Sequence, residues 1–158
     1  MRFKSLLSVC LAVFFVLSAN SQTTLNAESS RTEDVCETAF RYFFTHDGTL
    51  GAKAICISTT IPLPSNFTNR FANNIPHVVW SIECTSNLWA GVKYIKTNEP
   101  AVLVKIVSIR WVSGKEAEVS GGSVWGDFVR PPSTVHIVEK NGRWFVKNDK
   151  VDAVGQSS

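Results

Sequence analysis

Ser133–Asn148 reads STVHIVEKNGRWFVKN. Asn141-Gly142 divides it into two runs of strand-forming residues. Asn-Gly in that position is a strong two-residue hairpin signal, because a type I′ turn requires positive φ at both central residues. With such a turn Lys140 lies opposite Arg143. The register then puts Val135, Ile137, Glu139, Trp144 and Val146 on one face, and His136, Val138, Phe145 and Lys147 on the other. The first set is expected to face the core, with Glu139 near its edge. His136 should face Lys147 across the hairpin. Lys140 and Arg143 would set two like charges side by side, which only a solvated turn tolerates.

Upstream, Ala101–Val112 is a long β-branched run and Ser113-Gly114-Lys115 turns it. Glu116–Trp125 alternates Ala117 and Val119 against Glu116, Glu118 and Ser120, the pattern of a half-buried strand. Gly121-Gly122 suggests a bulge or bend. Residues 126–132 read as a loop. Further back, residues 52–59 are small and β-branched and read as a strand that Pro62 and Pro64 end. Ser65 is placed to cap a short helix through Asn73, with Phe67 and Phe71 on one side. Pro76 stops that helix. A second strand is expected over His77–Cys84, then a long irregular excursion over Thr85–Pro100.

The first helix is expected over residues 31–47. Ser30-Arg31-Thr32-Glu33 has capping-box spacing, and Glu33 and Asp34 favour a helix N-terminus electrostatically. Cys36, Phe40, Phe43 and Phe44 recur at helical spacing beside Val35 and Ala39. Gly48 is suited to a left-handed cap. The aromatic stripe reads as the face packed on a sheet, with a pocket lining as the alternative. The fold class is therefore α+β: an N-terminal amphipathic helix on a twisted antiparallel sheet of about four to six strands, closed by a C-terminal meander. Several cone-shaped and cystatin-like folds share this arrangement, and it identifies none of them.

The N-terminus gives an address. Arg2 and Lys4 precede an apolar run, Leu6–Leu17, broken only by Ser8, and Ala19-Asn20-Ser21 follows. These are the three regions of a secretory signal peptide. The run is shorter than the roughly 20 residues of a spanning helix, so no stable membrane span is expected after cleavage. Residues 1–21 are the expected signal peptide, 22–30 a flexible lead-in, 31–151 one domain and 152–158 a flexible tail. The protein is expected to be exported, to the periplasm or beyond. The chain carries 16 Lys and Arg against 13 Asp and Glu. Cleavage removes two of the basic residues, so the mature chain is close to neutral, with no general field for nucleic acid or anionic membrane. Of four cysteines, Cys10 leaves with the signal peptide. Two of Cys36, Cys56 and Cys84 could pair in an oxidising compartment. The third would be buried or would bridge two chains.

The segments EDVCETAFRYFFTHDG, AKAICIS, LPSNFTNRF, SIEC, VSIRWVSGKEAEVSGG and TVHIVEKNGRWFVKND, taken in order, resemble a group of small exported bacterial proteins. In that group a helix of the type ExVYEAxFRYxFxHN precedes a short strand, a short Pro-Ser-capped helix and a meander ending in NGxW. The resemblance covers most of the mature chain and implies no particular activity. Its members resemble this chain in carrying a cysteine in the first strand and another at the end of the second. That implies a Cys56–Cys84 disulfide, with Cys36 as a free thiol under the helix, where the group usually has an aromatic residue. Asp47 departs from the asparagine that the group tends to place after the histidine.

Catalytic signatures are sparse. His46, His77 and His136 lack a second ligand at metal spacing, so neither a metal nor a cofactor is expected. No Cys-x-x-Cys, Gly-x-Ser-x-Gly, phosphate loop or dinucleotide fingerprint is present. Cys36 and His46 stand ten residues apart on one helix, about 15 Å along its axis, beyond hydrogen-bond reach. His46 with Asp47, and His136 with Asp127, are the candidate acid-base pairs for a pocket. Asn66-Phe67-Thr68 is a glycosylation sequon, which the bacterial resemblance argues against using. Trp89 and Tyr94 read as anchors of the long loop, or as contacts for a sugar or peptide. The expectation is an exported non-enzymatic domain that binds a small ligand or a protein partner. The alternative is an enzyme with a pocket between helix and sheet. A disulfide-linked dimer is a third reading.

Overall fold

The computed structural model describes residues 27–47, 51–87, 91–125, 128–129 and 132–151. The proposed signal peptide, Gly48, Trp89, Asp127 and the C-terminal tail lie outside those residues. The chain divides into two compact units, Met1–Glu33 and Asp34–Ser158. The first is described over residues 27–33, which are helical. Ser30 therefore lies inside a helical segment and does not cap one. Thr32 instead donates to the Glu28 carbonyl at 3.0 Å. The apolar period begins only at Val35, so the pattern could not show this earlier start.

In the second unit, helix α1 occupies residues 34–46. Among the described residues nine strands follow: β1 (Ala54–Thr59), β2 (His77–Trp80), β3 (Cys84–Asn87), β4 (Gly91–Tyr94), β5 (Pro100–Ser113), β6 (Glu116–Trp125), β7 (Phe128–Val129), β8 (Ser133–Lys140) and β9 (Arg143–Val151). They form one mixed sheet with the order β2-β1-β5-β6-β8-β9. The expected α+β class holds in this strand-rich form: one helix and a curled mixed sheet. A purely antiparallel sheet of four to six strands is corrected. β1 runs parallel to both of its neighbours, β2 and β5. A parallel pair needs a crossover of a dozen or more residues, and residues 60–76 provide one between β1 and β2.

Three local readings also change. The short helix is a 3-10 turn, Phe67–Phe71, whose N-cap is Asn66 without a side-chain cap bond. The second strand breaks at another 3-10 turn, Ser81–Glu83. Part of the expected irregular excursion is the antiparallel hairpin β3–β4, with Cys84 opposite Tyr94 and Asn87 opposite Gly91. Thr85, Ser86 and Asn87 are exposed and polar, so β3 has no apolar alternation to announce it, and the alternation of Val92 and Tyr94 on β4 spans only four residues.

The sheet separates two cores. On one face Ile55 and Ile57 of β1, Val102, Val104 and Ile106 of β5, Ala117 and Val119 of β6, and Val135 and Ile137 of β8 join the aromatic stripe of α1. On the other face Ala54, Cys56, Val79, Val92, Tyr94 and Ala101 form a smaller cluster. Alternation along β1 and β5 produces both, since successive side chains point to opposite faces. Bulges keep β5 in phase. Ile106 pairs with Gly121 and Ser108 with Ser120, leaving Val107 as an extra residue. The core period thus passes from even numbers, Val102 to Ile106, to odd ones, Ile109 and Trp111. The expected irregularity at Gly121-Gly122 lies across the ladder, on β5. Thr60 Oγ1 donates to the bulged Val107 carbonyl at 2.5 Å.

The C-terminal hairpin has its expected turn. Asn141 and Gly142 have φ of 54° and 73°, and Lys140 pairs with Arg143. Val135 and Ile137 are buried while Phe145 is exposed. A register shift past Ile137 then places His136 opposite Asn148. His136 therefore does not face Lys147 as expected.

Candidate functional site

The chemistry-bearing side chains collect at the junction of α1 and the Phe67–Phe71 turn. Asp34, Glu37 and Arg41 stand three and four residues apart, so α1 presents them on one face. The turn docks through Phe67 and Phe71, which are buried against Phe40 and Phe44 with ring centroids 5.4 to 6.3 Å apart. Docking brings Arg70 to the helix. One of its terminal nitrogens, Nη1, donates to Asp34 Oδ1 and to Glu37 Oε2, both at 2.8 Å. Burial alone would depress the Arg70 pKa. Hydrogen bonds to Glu37 and Asp34, with their charges, more than offset that and hold it above the ordinary arginine value. Arg70 is thus a permanently charged clasp.

Arg41 completes the group. Its Nε donates to Glu37 Oε1 at 2.9 Å, and its Nη2 donates to the Arg70 carbonyl at 2.7 Å. The guanidinium carbon lies 5.0 Å from the centroid of the Phe71 ring, within cation-π range. Two cations and two carboxylates leave the cluster electrically balanced. Arg41 is also half exposed, and with Asn69, Phe71, Asn73 and Asn74 it lines a polar depression of about 160 Å³. Asn74 is held by its own bond to the Pro76 carbonyl. The Asp34-x-x-Glu37-x-x-x-Arg41 spacing is visible on the helix. Its partner Arg70 carries no local signal.

The candidate residues named from the sequence are dispersed. His46 is exposed on α1, its ring stacked on Tyr42 at 3.8 Å, with Nδ1 within 2.9 Å of the Tyr42 carbonyl. His136 lies on the sheet face away from the helix. Its Nε2 is 2.8 Å from Glu116 Oε1, an ion-pair distance without hydrogen-bond alignment. Glu118 stands opposite His136 and is also bonded to Arg110. Its expected partner Asp127 lies outside the described residues. His77 meets the Tyr94 ring edge-on at 5.0 Å, and Tyr94 is buried as an anchor. Among the described residues no group of three His, Cys, Asp or Glu is placed to hold a metal.

Cys56 and Cys84 form a disulfide, with Cα atoms 6.4 Å apart. This is the pairing that the resemblance implies. Cys36, outside the bridge, is buried in the larger core. Bridge and thiol therefore lie on opposite faces of the sheet. Among the described residues no helix is long and apolar enough to cross a membrane. No family model, curated protein or solved structure matches the chain.

Proposed function

We propose that this protein is an exported, non-enzymatic domain that binds a small ligand or a partner in the envelope space. The observation that carries the reading is the filling of the helix–sheet interface. Phe40 and Phe43 have no exposed surface, and neither do the residues facing them, Ile55, Ile57, Val104, Ile106 and Val119. An enzyme working between helix and sheet needs room for a substrate at that interface, which close-packed apolar side chains deny it. The polar groups instead lie on outward surfaces, where a ligand can reach them and water is not excluded. Export is supported by the signal-like segment 1–21 and by the disulfide, which persists in an oxidising compartment.

The test has two parts. Fractionation of a bacterial culture expressing the full chain, with N-terminal sequencing of the product, should place the mature protein outside the cytoplasm beginning near Gln22. A thermal-shift screen of that protein against envelope metabolites should then find ligands that raise Tm without being consumed. A ligand at one hundred times its Kd stabilises by about 2.7 kcal/mol, well within detection. Turnover of a panel member that His136→Ala abolishes would replace this reading with an enzymatic one.

A further inference from the structure

We infer that the depression beside Arg41 binds a small hydroxylated monocarboxylate of the sugar-acid class. The inference rests on the reading of the chain as a binding domain and names the ligand chemistry for it. Arg41 is held in place by the protein itself: Glu37 accepts from Nε, the Arg70 carbonyl accepts from Nη2, and the guanidinium carbon lies over the Phe71 ring. A guanidinium carries five N–H donors. The two on Nη1 have no protein acceptor among the described residues. A charged donor pair held in place beside a hollow favours a negatively charged acceptor.

The charge of that acceptor follows from the surroundings. Glu37 is already bonded to this guanidinium, and Asp34 lies beyond it on Arg70. A dianionic phosphate would meet those carboxylates as a like-charge neighbour. A single carboxylate can accept from the Nη1 end, the part of the guanidinium that Glu37 and the Arg70 carbonyl leave without an acceptor. The rest of the ligand must be polar, since Asn69 and Asn73 line the same depression with exposed carboxamides that make no protein hydrogen bond among the described residues. Each amide offers donors and an acceptor, the complement of a ring of hydroxyl groups. The volume of about 160 Å³ lies below the roughly 300 Å³ at which drug-sized pockets begin. That is room for about one sugar-sized unit within the depression itself.

Titration of the ¹⁵N-labelled oxidised protein, followed by NMR, separates the possibilities, with D-glucuronate, D-glucose and inorganic phosphate as probes. Glucuronate and glucose differ in one group, a carboxylate for a hydroxymethyl. The expected result is saturable shifts over residues 69–74 and at Arg41 Nε with glucuronate, at least tenfold tighter than with glucose or phosphate. Arg41→Gln should weaken glucuronate binding at least tenfold. Asn73→Ala, an exposed change that leaves the helix contacts intact, should weaken it severalfold. Equal binding of glucose, tighter binding of phosphate, or glucuronate shifts unchanged in Asn73→Ala would overturn the inference. If glucuronate fails while another envelope metabolite binds without turnover, the sugar-acid assignment falls and the binding-domain reading stands. Failure of the whole panel, with turnover of a substrate, removes both.

Discussion

Phe43 occupies the space in which a side chain on Gly121 would begin. A Cβ at Gly121 would stand 2.8 Å from Phe43 Cε2 and 2.6 Å from the Lys105 carbonyl oxygen. The helix approaches β6 this closely only because the strand has no side chain there. The contact lies directly across the ladder from the β5 bulge, since Gly121 pairs with Ile106.

Gly121→Ala is therefore expected to destabilise the protein, although alanine normally improves on glycine within a strand. Overpacking of this kind costs about 1–3 kcal/mol. Urea denaturation would measure it. Phe43→Leu in the same chain should recover part of the loss and not all of it, because the Lys105 carbonyl is backbone and cannot retreat. A neutral or stabilising Gly121→Ala would show that helix and sheet are not in this register.

Lys140 and Arg143 are paired across the hairpin end, both exposed. Like charges directly opposite are unfavourable by a few tenths of a kcal/mol to about 1 kcal/mol. Arg143→Glu replaces repulsion with attraction and should raise the midpoint of urea denaturation at low salt. The gain should vanish in 1 M NaCl, where the Debye length is about 3 Å. A gain that survives high salt would need a cause other than charge.

Cys36 has no exposed surface. Buried thiols in apolar surroundings are inert, so iodoacetamide should leave the native protein unmodified and label this cysteine once urea unfolds it. Non-reducing electrophoresis should correspondingly show a monomer. A covalent dimer that Cys36→Ala abolishes would contradict the placement of this residue under α1.

The parts of the fold legible in the sequence are those set by local geometry. Asn141-Gly142 fixes two positive φ values and with them the register of β8 and β9 near the turn. The spacing of Cys36, Phe40, Phe43 and Phe44 marks a buried helix face. Strand direction was not legible, because the parallel pairing of β1 with β2 and β5 is settled by contacts 23 to 47 positions apart. Nor was the partner of His136, since one bulge past Ile137 moves it from Lys147 to Asn148. Half of the candidate site could be read, namely the Asp34, Glu37 and Arg41 ladder on α1. Arg70 reaches it from 29 residues beyond Arg41, and no periodicity reports a tertiary contact.

The disulfide joins the β3–β4 hairpin to the buried strand β1, and little else covalent or extended does. Cys84 opens β3, while β4 makes only two register pairs with β5, Val92 with Ala101 and Lys93 with Pro100. The smaller core behind the hairpin is built from few side chains, with Tyr94 the largest. The bridged cysteines are 28 positions apart, and closing a loop of that length is worth about 3.5 kcal/mol in the chain-entropy account. The Cys56→Ala/Cys84→Ala protein should lose stability of that order in urea. The loss should also be uneven, because β5, β6 and β8 keep the larger core and α1. Hydrogen exchange should accelerate most over β3 and β4 and least over β6. Equal acceleration of both regions would mean that the hairpin and the main sheet open together, and that the bridge stabilises one cooperative unit.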